Sequence, residues 1–211
     1  MTVSAQLHGA GIAAAYNKEL DFGSDTIKVA LVGSGHTPNA LTEDYWDDVV
    51  ADEITGTGYT ADGATLANAS CAFVVANSWA QTWVASTAYA KGALVRPTTG
   101  NTHLYMAIAA GTSAGAGSEP TWPTAAYGTV VDNGVTWMEI GRGAVKFDSD
   151  DPSWANATVT ARYAYLYDDT PAADAAKPII LHVDFGEDVS SLASTFTITW
   201  AVYGILAMPV A

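Results

Sequence analysis

The residues of this chain best suited to chemistry are its rings. Trp83, Tyr89, Tyr105, Trp122, Tyr127 and Trp137 all fall in one stretch. An exposed Trp or Tyr presents a flat apolar face with a polar handle at its edge, and such a face can stack on a sugar ring. Trp83, Tyr89, Tyr105, Trp122 and Trp137 are therefore the candidate ligand-binding residues, with a glycan as ligand. The same rings can instead fill a small core, because a mini-domain needs a few anchors of large area. Core packing is the favoured reading for the set. Trp122, with Pro120 and Pro123 close on either side, is the ring expected at the surface.

Other reactive types give weaker patterns. Asp148, Asp150 and Asp151 in DSDDPS, and the pair Asp168 and Asp169, could offer carboxylate oxygens to Ca²⁺. Neither cluster has the spaced ligands, central glycine and late glutamate of a calcium loop, and Asp, Ser and Pro also make turns. His8, His36, His103 and His182 are dispersed, without the paired spacing of a zinc helix. His182 sits in an apolar strand and reads as a structural histidine. The sequence holds no GxSxG, phosphate loop or GxGxxG. The expectation is a non-enzymatic protein that needs no metal or cofactor. The single thiol, Cys71, cannot close an internal disulfide, and its apolar neighbours predict a buried site.

Composition narrows the partners. The chain has 211 residues, 49% of them hydrophobic and only 14% charged, with a net charge of −14. Eight basic residues, scattered, cannot neutralise a phosphate backbone, so nucleic acid is not expected. The N-terminus has no basic segment ahead of its apolar run, and no apolar run reaches the roughly 18 residues of a membrane span. Synthesis in the cytoplasm and no membrane partner are the expectations.

The elements that must position these residues read as β. Asp25–Val32 alternates as a strand, and Glu43–Val50 reads as a short helix with Tyr45, Trp46, Val49 and Val50 inward. The segment 64–81 is another strand region. Short strands are predicted over 93–96, 104–109, 129–131 and 135–140, with Asn133–Gly134 as a turn. Val159, Ala161, Tyr163, Tyr165 and Tyr167 mark the clearest strand by their alternation. Residues 186–194 read as a polar loop, and Phe196, Ile198 and Trp200 share a strand face. Many short strands without βαβ crossovers predict a mainly β fold, an antiparallel β-sandwich or barrel-like domain. That domain is discontinuous, 1–80 and 143–211, and carries an inserted small β module at 81–142. Residues 1–25 read as an N-terminal arm or as a short helix at 12–18.

Several of these segments, in order, carry a resemblance. DTIKVALV, TEDYWDDVVADEITGTGYTADGATL, AVKFDSDDPSWANATVTARYAYLYDD, IILHVDFG and TFTITWAVYGIL resemble a family of tailed-phage virion structural proteins. The resemblance implies a capsid decoration (cement) protein bound to the major capsid protein on the virion surface. It leaves head and tail both open. Self-association, with a trimer at three-fold positions, would match the local symmetry of a shell. The middle module is similar to small aromatic β modules of phage structural proteins and to short chitin- and cellulose-binding modules. Trp83, Tyr89, Gly92, Val95 and Tyr105 follow the carbohydrate-binding pattern, whereas SEPTWP and DNGVTW follow the phage version. The alternative implied is a tail or baseplate adhesin whose insert binds a host-surface polysaccharide.

Overall fold

The computed structural model describes residues 4–201 and 204–210. Its elements in chain order are β1 (Ser4–Leu7), α1 (Gly9–Asn17), β2 (Ile27–Val32), β3 (Ala64–Thr65), β4 (Ser70–Val75), α2 (Ala76–Trp79), β5 (Gln81–Thr82), β6 (Ala88–Tyr89), β7 (Leu94–Arg96) and β8 (Tyr105–Ala109). There follow β9 (Gly111–Thr112), β10 (Thr129–Asp132), β11 (Val135–Glu139), β12 (Gly143–Asp148), β13 (Ser153–Asp168), β14 (Ile179–Thr197) and β15 (Leu206–Val210). The fold is mainly β, in several antiparallel sheets, and none of the described strands closes a barrel. The chain divides into two compact units, Met1–Ser70 with Ser149–Trp200, and Cys71–Asp148 with Ala201–Ala211. Residues 71–80, 143–148, 201 and 204–210, expected with the flanking domain, fall in the same unit as the aromatic module.

The first unit is a five-stranded sheet in the order β1-β14-β13-β2-β3. The alternation of Val159 to Tyr167 is explained by β13, which lies between β14 and β2. Near its C-terminal end β13 is buried on both faces, as are β2 and the start of β14. There Trp46 stacks flat on Tyr167, at 4.4 Å between ring centroids, and both join Ala30, Val32, Val49, Tyr165 and Ile179 in one core cluster.

Three expectations fail in this unit for physical reasons. Residues 186–194 are not a loop but part of β14, one strand from Ile179 to Thr197. Gly, Asp and Ser are poor strand formers alone, but β13 supplies ladder partners to Val189, Ser190, Ser191 and Ser194, and residues 185–188 are carried in the register shift between Asp184 and Val189. The helix expected at 43–50 is replaced by short 3₁₀ turns at Trp46–Asp48 and Val50–Asp52. The Trp46 amide donates to the Lys177 carbonyl and the Ile179 amide to the Asp44 carbonyl, so these backbone groups are spent on a neighbouring segment. Of the two readings of the N-terminal segment, the free arm fails from residue 4 onward, while the short helix forms as α1. β1 pairs with β14 from Ser4↔Asp184 to Leu7↔Leu181. α1 then lies so close on β14 that a Cβ at Gly11 would meet the Ile179 carbonyl oxygen at 2.5 Å. Residues 1–3 of the expected arm lie outside the described residues.

The second unit holds the sheet β10-β11-β8-β7-β5, the three-stranded sheet β15-β12-β4 and the pair β6-β9. The Asn133–Gly134 turn joins β10 to β11, with Asn133 at φ 53. One core gathers Trp83, Tyr89, Val95, Tyr105, Ala107, Val135 and Trp137. Another, of Ala76, Ala80, Leu94, Leu104 and Ile140, is capped by Ala207 of β15.

Candidate functional site

Four of the five candidate rings face inward. Trp83, Tyr89, Tyr105 and Trp137 are buried. Two indoles converge on one carboxylate, Trp83 Nε1 donating to Asp132 Oδ2 at 2.7 Å and Trp137 Nε1 at 2.9 Å. The other oxygen of Asp132 accepts the Ala114 amide at 2.8 Å. Tyr89 meets Trp137 edge to face at 4.9 Å, and its hydroxyl accepts the Val84 amide. The Tyr105 hydroxyl donates to the Pro123 carbonyl at 2.8 Å and accepts from Asn101. Each polar handle is used internally, so these four rings build the module and offer no free face to a sugar.

Trp122 differs. It is half-buried and packs on Tyr105 at 4.4 Å and on Trp137 at 5.8 Å. It borders a surface groove of about 380 Å³ shared with Pro97, Thr99, Asn101, Glu119 and Thr124. Its indole donates to Glu119 Oε1 at 2.9 Å. Burial works to raise the Glu119 carboxyl, but hydrogen bonds from Thr98 and from the Trp122 indole outweigh it and hold the group below its ordinary range. The groove thus has an aromatic wall beside a fixed carboxylate. Tyr127, the remaining ring of the stretch, is 67% exposed.

The aspartate clusters are structural. Asp148 pairs with Lys146 at 2.6 Å, Asp150 accepts from Asn68 at 2.7 Å, and Asp151 accepts the Trp200 amide at 2.9 Å. Asp169 is clasped by Lys28 at 2.7 Å and Lys177 at 2.8 Å. Among the described residues no group of His, Cys, Asp and Glu is arranged to hold a metal ion.

A surface that the sequence reading missed lies on the three-stranded sheet. Val145 pairs with Met208 and Gly143 with Val210, so all four share a face. The Phe73 ring covers Gly143, where an added Cβ would meet Cζ at 2.6 Å. Phe73, Val75, Met208 and Val210 are all exposed, Phe73 by 59%. Cys71, expected in the core, is exposed on the same strand as Phe73 and Val75. β4 and β15 are the two edges of this sheet. Contiguous exposed apolar side chains on an edge strand are a recognised form of binding surface. The continuous apolar runs AFVV and LAMPV were the available signal, but such runs also mark buried strands.

Three histidines far apart in sequence meet in the first unit. His8 Nε2 lies 2.9 Å from His182 Nδ1, and His36 Nε2 lies 3.2 Å from Glu43 Oε1. His103 belongs to the second unit and pairs with buried Glu139 at 2.8 Å. No protein-family model, curated protein or solved structure matches this chain.

Proposed function

We propose that this chain is a non-enzymatic structural protein of a tailed-phage virion, docking on the outer surface of the major capsid protein and bridging neighbouring capsomers. The observation that carries the reading is the exposed apolar face of Phe73, Val75, Met208 and Val210. Burying a side chain of this kind stabilises a contact by roughly 1.5–3 kcal/mol when burial is complete. One such patch binds weakly, but repetition over a lattice multiplies weak contacts through effective concentration. The net charge of −14 keeps the free protein soluble despite that face. Self-association as a trimer belongs to the same proposal. The test is quantitative labelling of intact particles: many copies over the head support docking on the shell, and a few at the tail tip contradict it.

A second reading rests on a different observation, the Trp122 wall beside the Glu119 carboxylate. In that reading the protein is a tail or baseplate adhesin that recognises host-surface polysaccharide, with a sugar ring on Trp122 and a hydroxyl donating to Glu119. Titration of the protein with polysaccharide from the host surface tests it. Heat that vanishes in Trp122→Ala supports it, and a flat titration removes it.

A further inference from the structure

His8 joins β1 to α1 and is fully buried. Its Nδ1 lies 2.9 Å from the Glu43 backbone carbonyl, which can only accept, so Nδ1 carries a hydrogen. Its Nε2 faces His182 Nδ1 at 2.9 Å, leaving room for one proton between two rings. With both rings neutral, His182 donates and His8 accepts. One added proton is accommodated by moving the shared hydrogen onto His8, 4.0 Å from Glu43 Oε2. A second added proton sets two N–H donors and two positive charges against each other, and the bond is lost.

The surroundings do not absorb that second charge. Glu43 already accepts from the Asn39 amide and the Tyr165 hydroxyl, and it faces His36. Asp52 is taken by His36, and Asp184 by Arg162. Tyr163 and Tyr165 of β13 present rings to these imidazoles. β1 and the first turn of α1 contribute no titratable side chain besides His8 itself.

We propose that the His8–His182 pair is an acid-released latch, fastening β1 and α1 to the sheet while the pair holds at most one extra proton and letting them go when both rings are charged. Release uncovers the edge of β14 from Leu181 to Asp184, which β1 covers in the closed state. A bared strand edge is a template for another strand, so the acid form gains a place to bind an extended segment.

Hydrogen exchange on the full-length protein at about pH 7.5 and about pH 5, corrected for intrinsic rates, tests the latch. Amides of residues 4–17 should lose about tenfold or more in protection at the lower pH, while β2 and the centre of β13 keep theirs. His182→Gln, whose amide can still donate to His8 but takes no proton, should abolish the difference. His8→Gln serves the same purpose should the first variant fail to fold. The proposal is overturned by equal protection of residues 4–17 at both pH values, by a loss spread evenly over β2 and β13, or by the same selective loss in a folded variant.

Discussion

Asp132 stands 49 residues from Trp83 and accepts its indole hydrogen at 2.7 Å, on the same oxygen that serves Trp137. The carboxylate is therefore the pin through the aromatic core of the second unit. Asp132→Ala leaves two indole N–H groups and the Ala114 amide without an acceptor, each at a cost of about 1–3 kcal/mol. The expected loss is at least about 3 kcal/mol, with a smaller loss in Asp132→Asn, which keeps one acceptor oxygen. Denaturant unfolding followed by tryptophan fluorescence measures both.

Gly11 is the seat of α1. A Cβ there meets the backbone of Ile179 and Ile180, which cannot give as a flexible side chain would. Gly11→Ala is expected to destabilise by about 1–3 kcal/mol despite alanine's better helix propensity. Thermal melting reads the loss, and unchanged or raised stability would contradict this close seating of α1 on β14.

Acid sensitivity follows from His182. Burial, then the neighbouring His8, holds its pKa below the ordinary histidine value of 6.5. The folded ring binds fewer protons than the unfolded one, so its contribution is full above about pH 6.5 and is lost as pH falls through the folded value. Denaturant midpoints should drop between about pH 7.5 and about pH 5, and the drop should shrink in His182→Gln. Asp184, held low by its hydrogen bond from Arg162, adds a further loss only below about pH 4.

Trp122 joins the core by one side only. Trp122→Ala should cost roughly 1–2 kcal/mol, less than the 3–5 kcal/mol typical of a fully buried tryptophan, because part of the ring is already in water. The same variant serves the saccharide titration.

What was legible in the sequence was local. Period-two alternation placed β13, and the Asn133–Gly134 turn with its flanking runs placed β10 and β11, because neighbours along the chain carry that signal. The strand character of residues 186–194 was hidden, since it comes from β13 rather than from Gly, Glu, Asp and Ser. Trp46 and Val49 were correctly read as inward, yet their helix was not formed, because the backbone bonds of that segment go to Lys177 and Ile179. The preference for core over surface held for four rings of the module, whereas Cys71 was read inward and lies outward. His8 and His182, 174 residues apart, become neighbours only through the pairing of β1 with β14, a relation that spacing cannot carry.

Docking through the apolar strand face is tested most directly by co-sedimentation with purified, undecorated phage shells, using the wild-type chain and the double variant Phe73→Asp, Met208→Asp. Both positions are exposed, so the variant should keep its stability to within about 1 kcal/mol. The wild-type protein is expected to saturate the shell at a fixed number of copies per capsomer and to raise its melting temperature, and the folded variant to do neither. Failure of the wild type to bind, or equal binding by the variant, would contradict the account.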